Sequence, residues 1–208
     1  YILHHRVNIN QFYSSLLKNA KDPSIVIENK LLYAVRADKE IINDFLNMIE
    51  YPINFFDFET FQNAIPRFDG QRPYMQIPFQ YSLHIQPEIG GKLTHFEYLA
   101  NSNPNEDPRI GFIEQLIEDC GETGDILVYN LSFERSKLND LIEIFPNYSN
   151  EIRRIVGRLK DLMIPFQKRW YYTPEMKGSY SIKYVLPALV PELSYQDLEI
   201  KEGGTASS

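Results

Sequence analysis

Residues 53–86 read INFFDFETFQNAIPRFDGQRPYMQIPFQYSLHIQ, and two runs within them decide the fold. In the run 77–86, Ile77, Phe79, Tyr81, Leu83 and Ile85 alternate with Gln80, Ser82, His84 and Gln86. Successive side chains of a strand leave it on opposite faces, so this period of two predicts a β-strand with one apolar face. In the run 53–59, Ile53, Phe55, Asp57 and Glu59 share one face, while Phe56 and Phe58 share the other. A strand apolar on both faces belongs in the middle of a sheet. Between the runs, Arg67 to Tyr74 is a loop rich in Pro, Gly and polar residues. Beyond them, Gly90-Gly91 marks a turn into a third strand at 93–100. Strands 53–59, 77–86 and 93–100 are therefore expected to form an antiparallel meander.

Downstream, Asp107-Pro108 is a helix start, an N-cap acceptor followed by proline at the first helical position. Ile110, Ile113, Leu116, Ile117 and Cys120 then repeat at helical spacing up to Gly121. The run DILVYN, 125–130, predicts a short buried strand. A helix between 93–100 and 125–130 is the crossover that parallel pairing needs, so 125–130 is expected beside 53–59 in parallel. Further helices are expected at 132–145, 151–163 and 181–189, the last carrying Pro187, with 164–180 a loop. Upstream, residues 1–50 form an N-terminal segment with a hairpin over 24–35 and an amphipathic helix over 37–50, through Ile41, Ile42, Phe45, Leu46 and Ile49. Three meandering strands, a helix, a strand and more helices open a ribonuclease H-like α/β fold, a mixed sheet with helices on its faces, over 51–208.

The bulk numbers bound the function. A chain of 208 residues that is 43% hydrophobic and 24% charged can bury a core. A net charge of −7 argues against a module that holds nucleic acid by bulk electrostatics. It argues less against a metal-dependent nuclease, whose site is itself made of carboxylates. The single cysteine, Cys120, excludes an internal disulfide and reads as a small core residue. No run is long enough to span a membrane, and a cytoplasmic setting is expected. The chain opens at Tyr1 and reads as a segment of a longer protein.

Asp57 and Glu59, on one face at a strand end, repel each other and lose hydration; a divalent cation removes both penalties. Their hard oxygens suit Mg²⁺ or Mn²⁺ rather than zinc. The alternative is an exposed acidic strand end. Glu134, in the first turn of the helix after 125–130, stands where it completes such a site or merely complements the helix dipole. Asn130 precedes it as an N-cap or a substrate contact. Arg169, Tyr171, Lys177 and Lys183, with Lys168, Trp170 and Tyr172, mix cations with flat rings, as sites for single-stranded nucleic acid do. The alternative is a loop whose rings fill the core. Gln80 and His84 stay outside the expected site.

FFDFET and VYNLSFERSKL resemble the first two motifs of DEDD exonucleases, in the ribonuclease H-like superfamily. Here Asp57 and Glu59 match the first motif, and Asn130 with Phe133-Glu134 the second, with Glu where Asp is usual. The chain resembles still more closely a bacterial family, domain of unknown function 2779, from about Pro52 onward. Its most specific stretches are FFDFETFQNAIPRFDGQRPYMQIPFQYSLHI, VYNLSFERSKL and YYTPEMKGSYSIKYVLPAL. The resemblance implies a metal-dependent 3′–5′ exonuclease on DNA or RNA. Asp57, Glu59 and Glu134 would hold two cations roughly 3.5–4 Å apart, with a further motif of the form Tyr-x-x-x-Asp expected after Ser208. Without that aspartate the 208-residue segment is expected to be weak or inactive as a nuclease; Asp161 is the first internal substitute, ahead of Asp197, Glu199 and Glu202. The competing expectation is a non-catalytic module that binds nucleic acid or protein on the same fold.

Overall fold

The computed structural model describes residues 35–191 and Leu193. The hairpin expected over 24–35, Val35 apart, and the tail carboxylates Asp197, Glu199 and Glu202 lie outside the described residues. The chain divides into two compact units: Tyr51–Lys160, and the segment ending at Glu50 together with the segment from Asp161 on.

The second of these begins with β1 (Arg36–Ala37) and α1 (Lys39–Asn47). Asp38 caps α1, its carboxylate accepting from the Ile41 N–H at 3.3 Å. Ile42, Phe45 and Leu46 turn the apolar face of α1 inward, as its periodicity predicts.

The sheet unit contains β2 (Ile53–Gln62), β3 (Gln76–Gln86), β4 (Thr94–Leu99), α2 (Pro108–Cys120), β5 (Ile126–Val128), α3 (Leu131–Ile144), α4 (Ser149–Gly157) and β6 (Leu159–Asp161). The strand order is β4-β3-β2-β5-β6. Strands β2 and β3 pair antiparallel, as do β3 and β4, while β5 lies parallel to β2 through Asn54↔Ile126 and Phe55↔Leu127. Both the meander and the crossover thus take the form the alternation requires. Phe56, Phe58, Tyr81 and Leu83 form one core with Phe112, Leu116, Leu138, Leu141 and Ile155 of the three helices. Each buried ring contributes roughly 1.5–3 kcal/mol relative to exposure. Asp107 caps α2, accepting from the Arg109 N–H at 3.1 Å.

The turn from α2 into β5 is tightly held. Arg158 donates to the carbonyls of Gly124 at 2.6 Å, Gly121 at 2.7 Å and Cys120 at 3.0 Å, and also to Thr123. At Gly124, φ is +77° and a Cβ would stand 1.9 Å from the Pro52 carbonyl oxygen. Glycine is required there both by conformation and by space.

Two expectations are corrected. The helix expected over 151–163 ends at Gly157, and Leu159–Asp161 is instead the edge strand β6. Three residues are too few to break a helical pattern of apolar positions, and Leu159 fits both patterns. The stretch 164–180 is not a plain loop. It holds α5 (Ile164–Gln167), β7 (Tyr171–Tyr172) paired antiparallel with β1, and a 3₁₀ turn at Pro174–Met176, before α6 (Ile182–Leu189) with Pro187 inside. Short pieces of this kind are fixed by long-range pairing, here the Asp38 N–H donating to the Trp170 carbonyl at 2.7 Å. Among the described residues no helix is long and apolar enough to cross a membrane.

Candidate metal centre

Strand β2 is central and buried on both faces: Ile53 and Phe55 on one, Phe56 and Phe58 on the other. Asp57 and Glu59 are half-buried and continue the Ile53–Phe55 face. The cross-strand register extends this face over the sheet. Phe55 stands opposite His84, Asp57 opposite Ser82, and Glu59 opposite Gln80. On β4 the same rows end at His95, Glu97 and Leu99. Directly opposed residues project to the same side. One face of the sheet therefore packs on α2, α3 and α4, and the other carries two carboxylates within a polar field.

Strand β5 is short. Its pairing with β2 reaches Phe55↔Leu127, and β2 runs on past that point with Asp57 and Glu59. There the chain turns into α3. Asn130 makes the turn in the left-handed conformation, φ 82°, which asparagine tolerates better than most residues. Asn130 holds the N-cap position, as expected, but caps through its backbone: its side chain makes no cap hydrogen bond, and its carbonyl accepts from the Phe133 N–H at 2.9 Å. Phe133 stacks on Phe58 with ring centroids 5.7 Å apart. Phe58 lies between Asp57 and Glu59 in sequence, so this stack sets the first turn of α3 at the level of the acidic pair, on the opposite, helix-packed face of the sheet. Glu134 is buried, at 5% exposure, which excludes the solvated alternative for it.

Among the described residues no group of three or more His, Cys, Asp or Glu side chains is gathered to hold a metal ion. The Asp57–Glu59 pair remains a fit for a hard cation, because Mg²⁺ is commonly held by one or two carboxylates with water and substrate phosphate filling the rest. Asp161, the candidate internal substitute, accepts from the Met163 N–H at 2.9 Å and so serves a local turn.

Sequence reasoning passed over the polar side of β3. Gln80 is 0% exposed and neither atom of its amide has a hydrogen-bond partner among the described residues. An unpaired buried amide costs about 1–3 kcal/mol. His84 is half-buried and stacks on His95 at 4.3 Å. Burial, and then the neighbouring His95, push the His84 pKa below its ordinary 6.5. His95 Nε2 lies 3.3 Å from Ser82 Oγ and 3.9 Å from Glu97 Oε2. A serine relay needs its acid and its serine on opposite ring nitrogens, so this is not one. Cys120 is buried, and burial pushes its thiol up to about 12, so it is neutral and inert.

In the other unit, Tyr171 is 6% exposed and packs edge-on against Phe166 at 5.9 Å. It is core, the packed-ring alternative, rather than an open stacking surface. Arg169, Lys177 and Lys183 are exposed. The exposed rings of this stretch are Tyr180 and Tyr184, which the sequence did not single out.

The family described as "Domain of unknown function (DUF2779)" matches residues 54–181, from the second residue of β2 to the residue before α6. An uncharacterized protein of Ureaplasma parvum serovar 3 is 29% identical over 170 residues, covering 72% of this chain and 24% of that protein. An uncharacterized protein of Mycoplasma pneumoniae is 27% identical over 216 residues, covering 91% and 32%. One of Mycoplasma genitalium is 26% identical over 171 residues, covering 73% and 25%. The chain spans between about a quarter and a third of the length of these relatives. No solved structure matches.

Proposed function

The chain belongs to that family, the domain of unknown function DUF2779, and on this premise we propose that it is the nuclease domain of a metal-dependent 3′–5′ exonuclease with a ribonuclease H-like fold. The observation that carries the reading is the half-buried Asp57–Glu59 pair on one face of the central strand, at the level where β5 gives way to α3. The sheet order, with an antiparallel meander beside a parallel strand, agrees with the ribonuclease H-like arrangement. Asp57 and Glu59, with Glu134 as the third carboxylate, would hold Mg²⁺ or Mn²⁺. Such an ion supplies positive charge against the phosphoryl oxygens and acidifies a water. The protein's own part is to hold the scissile phosphate beside the acidic face and to keep bulk water from it. The exposed Arg169, Lys177 and Lys183, with Tyr180 and Tyr184, have the chemistry to bind a single strand.

The test is digestion of 5′-labelled single-stranded DNA and RNA by the full-length protein with Mn²⁺. Stepwise shortening from the 3′ end is expected, abolished by EDTA and by Asp57→Ala. The competing reading is a binding module that keeps the fold without the chemistry. The lack of a gathered three-carboxylate group among the described residues favours it. Oligonucleotide binding with no Mn²⁺-dependent cleavage would establish that module in place of the enzyme.

A further inference from the structure

We propose that Gln80 is a substrate-contacting residue of this centre: its amide oxygen orients the attacking water and its amide nitrogen holds a non-bridging oxygen of the scissile phosphate. The inference rests on the nuclease reading above and adds to it a residue outside the acidic motifs.

Three observations carry it. The register sets Gln80 directly across from Glu59, so both side chains leave the sheet on the same face. Gln80 is fully buried, with both amide atoms lacking a partner among the described residues. Its row continues to Leu99 on β4, an apolar neighbour that offers the amide nothing. A buried amide at such a position is completed by an ordered water or by a bound group.

The chemistry of the amide says which group. It offers one acceptor and two donors, whereas the neighbouring carboxylates only accept. A phosphodiester brought beside Asp57 and Glu59 meets two like charges. A neutral donor on the same face holds a phosphate oxygen without adding charge, and the acceptor of the same amide suits a water that must be aimed.

The experiment uses the full-length protein, with Mn²⁺ and then thymidine 5′-monophosphate as probes, in thermal unfolding and calorimetry. Gln80→Met keeps the side-chain length and removes both polar atoms; Gln80→Glu keeps the shape and replaces the donor by a charge. Without metal, Gln80→Met is expected to melt at the same temperature as the parent or higher, because two unpaired polar atoms are gone. Both variants are expected to bind Mn²⁺, to bind the nucleotide about tenfold or more weakly, and to lose about 10²-fold or more in kcat. A lower metal-free melting temperature in Gln80→Met with unchanged nucleotide affinity and kcat overturns the inference and leaves the nuclease reading standing. So does failure of both variants to fold, since Gln80 would then serve the fold alone. If the parent itself binds no Mn²⁺, the nuclease reading fails and the inference falls with it.

Discussion

Glu134 is the carboxylate whose role turns most on its surroundings. It sits in the first turn of α3, where the helix dipole favours its charge, yet it is buried. Glu134→Gln keeps its size and removes the charge. In the full-length protein this change is expected to weaken Mn²⁺ binding roughly 10–100-fold with little change in fold, read by calorimetry and circular dichroism. Unchanged affinity would remove Glu134 from the ion and leave Asp57 and Glu59 as its ligands from this chain. His84 makes a separate prediction. Its pKa is lowered in the folded state, so folding favours the neutral ring. Between the folded value and 6.5 the unfolded chain binds more protons, and stability there rises with pH. The contribution is therefore complete above about 6.5 and lost as pH falls from there through the folded value. Urea midpoints at about pH 7.5 and 5.5 are expected to differ in the parent and to differ less in His84→Gln.

The link from α2 to β5 shows how one turn sets a register. Gly124 lets the chain pass against Pro52, and Arg158 ties the carbonyls of Cys120, Gly121, Thr123 and Gly124 together. This turn delivers β5 beside β2, where Asn54 adds a side-chain bond to the Asp125 carbonyl at 3.2 Å. Gly124→Ala is expected to cost about 3 kcal/mol or more in urea unfolding, from strain and collision together. Arg158→Met is expected to cost about 3 kcal/mol through its lost charged hydrogen bonds. Both act on one turn, so the double variant is expected to cost less than the sum. Full additivity would mean that the two act independently.

Over the whole chain the −7 charge opposes the approach of any anionic strand, the partner that the nuclease reading proposes. On the nuclease reading a cation offsets the acidic face, so the full-length protein is expected to bind a labelled single strand poorly in EDTA and measurably with Ca²⁺. Affinity is expected to fall as salt is raised from about 50 to about 200 mM. Fluorescence anisotropy reads both; tight binding in EDTA would mean that the exposed cations suffice without metal.

Local periodicity along the chain was enough to assign the main strands, the crossover helix and their apolar faces. Alternation in 53–59 and 77–86 assigned the strands and their apolar faces. The Asp107-Pro108 start and the apolar spacing after it assigned the crossover helix, and with it the parallel strand. The two-residue spacing of Asp57 and Glu59 put both carboxylates on one side of a strand. These are properties of neighbours in the chain, set by backbone geometry that repeats every two or 3.6 residues. Contacts between residues far apart in the chain set the rest. Strand β6 is three residues long, and it becomes a strand because an edge of the sheet accepts it. Residues from Asp161 on group with the segment that ends at Glu50, across more than a hundred intervening residues. Tyr171 became core, while Tyr180 and Tyr184 stayed exposed. Gln80 lies on the polar side of an alternating strand and would be read as facing solvent. Its burial opposite Glu59 depends on cross-strand register and on what covers that face, and residues far apart in sequence set both.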